Sequence, residues 1–207
     1  MKKLFLFLFI FSLLSCENFT KSTADILSKN NKDKVPGKYH TLKKEKIRVF
    51  LPEEFNFISL NDYRNLISRS NDTITKSREL ERLNTIEKSK ENIYFFEYIE
   101  AASIINILPT EYMIFNKKDA QFMLAFVSNL VRMSSPTATD FEKIEAEFKN
   151  NNRTQIFKAI FKFRVPNNEL DFYKHVYFMS ENNKSAFITF ETPIPTSFDE
   201  YIYRTKL

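Results

Sequence analysis

Few residues in this chain are equipped for covalent or metal chemistry, and they are scattered. The 207 residues hold one cysteine, Cys16, and two histidines, His40 and His175. Metal centres draw on clustered His, Cys, Asp and Glu. No H-E-x-x-H or C-x-x-C spacing is present, so no metal ligands are assigned. A Ser–His–acid arrangement would have to use His175, which falls mid-strand beside Tyr173 and Tyr177, and the sequence singles out no serine to pair with it. No catalytic residue is assigned. The carboxylates Glu53–Glu54 and Glu145/Glu147 read as the solvent side of their elements. The strongest negative is glycine. The chain has one, Gly37. Phosphate-cradling loops, dinucleotide turns and nucleophile elbows all need glycine for positive φ or close backbone approach. Those sites are excluded, and no cofactor is assigned.

The lone cysteine has no disulfide partner in the chain, but its surroundings give it another chemistry. Lys2 and Lys3 precede an unbroken apolar run over residues 4–14, and Ser15 separates that run from Cys16. The run is about 11 residues, the length of a signal h-region and well short of the roughly 20 needed to span a bilayer. Leu13-Leu14-Ser15-Cys16 resembles the bacterial lipobox: aliphatic, variable, small, cysteine. The resemblance implies a bacterial lipoprotein, with a diacylglyceryl group on the Cys16 thiol and cleavage before Cys16. Two or three acyl chains hold a protein stably on a membrane. Residues 1–15 are thus the signal peptide, and the membrane is the first expected partner. Residues 16–46 are polar, lysine-rich and aperiodic, and read as the lipidated cysteine with a flexible tether. Glu17 stands where aspartate would favour inner-membrane retention, so the outer membrane is the favoured address. The formal charge of +5 is mild, and together with an envelope location it argues against a nucleic-acid partner.

Residues 47–207 read as a single α+β domain. Residues 47–51 alternate as a strand and stop at Pro52. Ser59 or Asn61 caps a helix carrying Leu60, Tyr63, Leu66 and Ile67, and a second helix runs over 74–86. Residues 93–99 and 103–108 suggest a hairpin. Asn116, with Asp119 in the first turn, opens the strongest helix, which runs to Met133. Four strands follow, at 141–148, 154–165, 170–179 and 185–192, joined by Asn-rich turns as an antiparallel meander. Ser197-x-x-Glu200 is a capping-box pattern opening a last helix at 198–206. The expectation is an antiparallel sheet of six to seven strands with a C-terminal meander and helices packed on it. In element order and in the paired aromatic strands 172–178 and 187–190, the domain resembles the Mog1/PsbP-like fold. It lacks the tryptophan and glycine common in PsbP-like chains after the first strand, having Pro52-Glu53-Glu54-Phe55 there. That family is functionally diverse, and the resemblance implies no active site.

The 154–165 strand places Lys158, Lys162 and Arg164 on one side, a candidate surface for an anionic partner. Phe157, Phe161 and Phe163 point to the opposite side, so the aromatics are core rather than a base-stacking platform. Tyr173, Tyr177 and Tyr94 are the aromatics expected on an exposed recognition surface. The sequence therefore points to a lipid-anchored envelope protein acting as a non-catalytic binding or accessory module, with an envelope protein or polymer as a further partner. The alternatives are an envelope hydrolase with a site near His175, in a cleft between sheet and helices, and an immunity-type protective lipoprotein.

Overall fold

The computed structural model describes residues 35–151, 153–164 and 170–207. The expected signal peptide, Cys16 and most of the expected tether lie outside the described residues, as do Val165 and the turn expected at Pro166-Asn167-Asn168. Gly37–Leu207 forms one compact unit.

A hairpin of β1 (Lys38–Leu42) and β2 (Ile47–Leu51) makes a small two-stranded sheet. Next come β3 (Asn56–Ile58), α1 (Leu60–Ser68), α2 (Thr73–Ser89), β4 (Tyr94–Tyr98) and β5 (Ser103–Thr110). The last part holds α3 (Ala120–Ser134), β6 (Thr139–Asn150), β7 (Thr154–Arg164), β8 (Asp171–Glu181), β9 (Lys184–Thr192) and α4 (Asp199–Arg204). The main sheet has seven strands in the order β3-β4-β5-β9-β8-β7-β6, every neighbouring pair antiparallel. The expected meander is there as β6 to β9, and the expected α+β class holds.

Local chemistry explains most element ends. The Ser59 hydroxyl accepts from the Asp62 amide, and Asp72 accepts from the Ile74 and Thr75 amides, so both helices open on a side-chain cap. Asn116 and Asp119 form a reciprocal capping box on a 3-10 turn that leads into α3. Left-handed turn positions fall to residues other than glycine, among them Asn182 and Asn183 between β8 and β9, and Lys46 between β1 and β2. The capping box expected at the last helix does not form in that way. Ser197 Oγ accepts from the Asp199 amide at 3.4 Å, and Phe198 occupies the cap without a side-chain bond.

Two features depart from the sequence reading. The stretch taken as tether contains β1, and the folded unit begins at Gly37 rather than Ile47. Only Leu42 of this strand is buried, so its sequence carries almost no apolar signal. Second, the sheet is covered on both faces. On one face the β1–β2 hairpin, α4 and Leu207 pack over Phe96, Ile105, Tyr177, Ile188 and Phe190. On the other, α3 packs over Phe157, Ala159, Phe161, Val176 and Phe178, while Tyr63 and Leu83 from α1 and α2 pack on Phe95. Every residue of β7 from Ile156 to Phe161 is therefore buried, Lys158 included.

Candidate ligand-binding cleft

The structure relocates most of the residues singled out by sequence. Lys158, Lys162 and Arg164 do not form an open cationic surface. Lys158 is 5% exposed and is bonded to Asp199 at 2.8 Å and Glu145 at 2.6 Å. Lys162 pairs with Asp171 at 2.8 Å, and Arg164 with Asp140 at 3.1 Å and Asp171 at 3.0 Å. A covalently tethered carboxylate outcompetes a dissolved anion at such a site, because it has already lost its translational freedom. Tyr177, expected on the surface, is buried and donates to Asp199 Oδ1 at 2.9 Å. The Tyr94 hydroxyl donates to Glu45.

His175 is 1% exposed. Its ring lies 5.3 Å from Phe190 and 6.4 Å from Tyr177, centroid to centroid, and neither ring nitrogen has a hydrogen-bond partner among the described residues. Burial pushes its pKa down to about 4. His40, expected in the tether, is in β1 against the Phe96 ring. No group of three or more His, Cys, Asp and Glu suited to a metal occurs among the described residues.

A cleft between sheet and helices is present, as the hydrolase alternative required, but it lies on the opposite face of the sheet from His175. β5 and β9 form its floor, α1 and α2 one wall and α3 the other, and it encloses about 820 Å³. It exists because α1–α2 pack on the β4 side and α3 on the β7–β8 side, leaving the centre of the sheet uncovered between them. The helices meet at one end. There Asp72 Oδ2 accepts from the Thr137 and Thr75 hydroxyls at 2.6 and 2.7 Å, and Arg78 donates to the Met133 carbonyl at 3.2 Å.

Charges in the cleft are largely matched within it. Arg82 binds the Glu79 carboxylate through two nitrogens, at 2.8 and 2.5 Å, and the Tyr63 hydroxyl donates to the same group at 2.9 Å. Burial pushes Glu79 up, but the Arg82 bonds and charge, with the Tyr63 hydroxyl, outweigh it and hold the carboxyl below its usual range. Burial and the neighbouring Glu79 carboxylate raise the Tyr63 phenol well above its ordinary value. Lys174 lies 3.1 Å from Glu191 and donates to Ser134 at 2.9 Å. One buried amide atom is left unsatisfied: Asn106 Nδ2 donates to Thr189 Oγ1 at 3.2 Å, while its Oδ1, closed off from solvent, has no partner among the described residues. The remaining lining is mainly apolar, with Leu66, Ile99, Phe126 and Leu130 exposed at the rim. A largely apolar hollow with a few placed polar atoms is the geometry of a binding site.

No family model matches the chain, and no curated protein sequence matches it significantly. Among solved structures, the chain is similar to the cyanobacterial PsbP protein of Synechocystis sp. PCC 6803. That likeness has a TM-score of 0.47 and 12% identity, and covers 82% of this chain and 85% of that one. It is also similar to the Ran-binding protein Mog1p of Saccharomyces cerevisiae, with a TM-score of 0.42 and 12% identity over 78% of this chain and 79% of that one. These are the two names of the fold that the element order resembles. At this identity no residue role is carried across.

Proposed function

We propose that this chain is a lipid-anchored, non-catalytic binding or accessory module of a bacterial cell envelope, with outer-membrane placement favoured by Glu17. The observation that carries the anchor is Lys2-Lys3, the apolar run over 4–14 and Leu13-Leu14-Ser15-Cys16, in that order and at signal-peptide spacing. No helix among the described residues is long and apolar enough to cross a membrane. In this reading the acyl chains on Cys16 supply the attachment. The module reading draws on the cleft, a largely apolar hollow in which Glu79 is paired with Arg82 and Glu191 with Lys174. The hydrolase alternative loses its site at His175, which is sealed in the core and faces away from the cleft. The test is labelled palmitate supplied to cells making the chain or its Cys16→Ser variant. Label should enter the first and be absent from the second, which should also keep its leader. Equal label in both overturns the anchor.

A further inference from the structure

One end of the main sheet gathers unpaired cations around an exposed apolar loop. Thr110, the last residue of β5, pairs with Ser185 at the start of β9. The loop that follows is pinned there. The Met113 amide donates to Ser185 Oγ at 2.9 Å, and the Met113 carbonyl accepts from Ser180 Oγ at 2.6 Å. The Phe115 amide donates to Gln155 Oε1 at 3.1 Å, and the Phe115 ring is buried. Tyr112, Met113 and Ile114 are left facing water, Ile114 with 70% of its surface exposed. A backbone held at both Met113 and Phe115 keeps these side chains from folding inward, so the loop is a fixed apolar knob.

Lysines surround it. Lys117 and Lys118 follow the knob directly, and Lys184 opens β9 beside it. Lys184 Nζ donates to the Lys46 carbonyl at 2.9 Å, which sets the β1–β2 turn, with Lys43, Lys44 and Lys46, at the same end. None of these lysines is in an ion pair among the described residues. Most nearby acids are turned inward. Glu45 accepts from Asn92 and Tyr94, Glu181 from the Thr154 hydroxyl and the Leu207 amide, and Asp119 from the Asn116 amide. Glu91 and Glu111 are the acids left exposed beside them. The opposite end has the reverse balance. Glu53, Glu54 and Glu100 are exposed there beside Lys38, while Lys162 and Arg164 are tied to Asp171. Such a separation of charge turns the basic end towards an anionic surface.

The knob and the lysines together select a bilayer. Free ammonium groups meet the phosphates of an anionic membrane, and apolar side chains between them enter the boundary of head groups and acyl chains. Tyr112 suits that boundary, with an apolar ring and a polar tip. A dissolved polyanion would neutralise the lysines and leave the knob wet. We propose that this end of the domain docks on an anionic phospholipid bilayer. Tyr112, Met113 and Ile114 insert at the interface, and the lysines of the 117–118 pair and the β1–β2 turn lie on the phosphates. The surface belongs wholly to the folded unit, so it does not depend on the Cys16 anchor. An anchor at Cys16 nonetheless permits it. β8 has 11 residues and is about 36 Å long at roughly 3.3 Å each, while residues 16–36 reach up to about 70 Å when extended.

The test is flotation of residues 16–207 carrying Cys16→Ser with vesicles of equimolar phosphatidylglycerol and phosphatidylcholine. Neither an acyl group nor the apolar run over 4–14 then binds in place of the domain, and the compact unit is kept whole. Partitioning should be about tenfold or more stronger than to phosphatidylcholine alone, and should weaken as salt rises from about 0.1 M to about 0.5 M. Lys117→Gln with Lys118→Gln, and separately Ile114→Ser, should each lower it about tenfold with the thermal midpoint unchanged. Ile99→Ser, at a similarly exposed apolar site on the far end, should bind as wild type. No partitioning, as when a protein partner covers this end, overturns the proposal. So does loss in the lysine variant with none in Ile114→Ser, the pattern of a soluble-polyanion site, and so does an equal loss in Ile99→Ser. The palmitate experiment reads Cys16 alone, so either result can fail without the other.

Discussion

Lys158 Nζ lies 2.8 Å from Asp199 Oδ2, which fastens the last helix to β7, the strand next to the β6 edge of the seven-stranded sheet. Asp199 also accepts from Tyr177, and Lys158 also reaches Glu145. Burial pushes the Lys158 ammonium down, but its bonds to Asp199 and Glu145 outweigh this and keep it charged. Asp199→Ala leaves a buried cation short of its more buried carboxylate partner and should cost about 3 kcal/mol. Removing both charges, as Lys158→Met with Asp199→Ala, should recover much of that loss, because an uncharged pair needs no solvation. Urea denaturation of the two variants measures this. A single variant as stable as wild type would show that the pair does not hold α4 in place.

His175 makes stability depend on pH. Its folded pKa is lowered from 6.5 to about 4 by burial, with Lys158 lowering it and Asp199 raising it by smaller amounts. The unfolded chain therefore binds a proton that the folded chain refuses as the pH falls below 6.5. Stability is full above that value and declines towards pH 4, by about 3 kcal/mol from this group. His175→Phe should flatten the decline between pH 6.5 and 4 in urea midpoints. An unchanged slope would sink the assignment.

Gly37 is needed for close approach rather than for backbone freedom. A Cβ added there would lie 2.6 Å from the Leu51 carbonyl oxygen and 2.8 Å from the Phe50 ring. Gly37→Ala must push the chain off β2 and should cost about 1–3 kcal/mol, the range for overpacking a filled site. A thermal midpoint equal to wild type would count against this contact.

Asp72 serves two elements at once. It caps α2 through the Ile74 and Thr75 amides and accepts from Thr137 beyond α3. The Thr137 hydrogen bond leads the effects that hold its carboxyl below the ordinary value. Asp72→Ala should cost about 1 kcal/mol for the cap and loosen the closed end of the cleft. Faster amide exchange at the start of α2 and around Thr137 is the expected signature. Protection lost at α2 alone would limit Asp72 to capping.

Much of the fold was legible because its signals are local. The Asn116–Asp119 box, the Asn182–Asn183 turn and the alternation of β8 and β9 each depend on residues a few positions apart. The sequence alone therefore determined the α+β class, the meander and the start of α3. It also carries Leu13-Leu14-Ser15-Cys16, four adjacent residues that resemble a lipobox. β1 escaped because Lys38–Leu42 buries a single side chain, and a strand stabilised by one partner strand leaves no apolar pattern.

The rest was decided by contacts between distant parts of the chain. Lys158 read as exposed because alternation along β7 assumes one wet face; Asp199, 41 residues away, makes the opposite true. His175, which shares its strand face with Tyr173 and Tyr177, is buried because that face of the sheet is covered by β1–β2 and α4. The cleft is written in no single segment. It follows from where two helical units land on one sheet, and that spacing is set by packing energies summed over residues from Tyr63 to Val176, which no local period encodes.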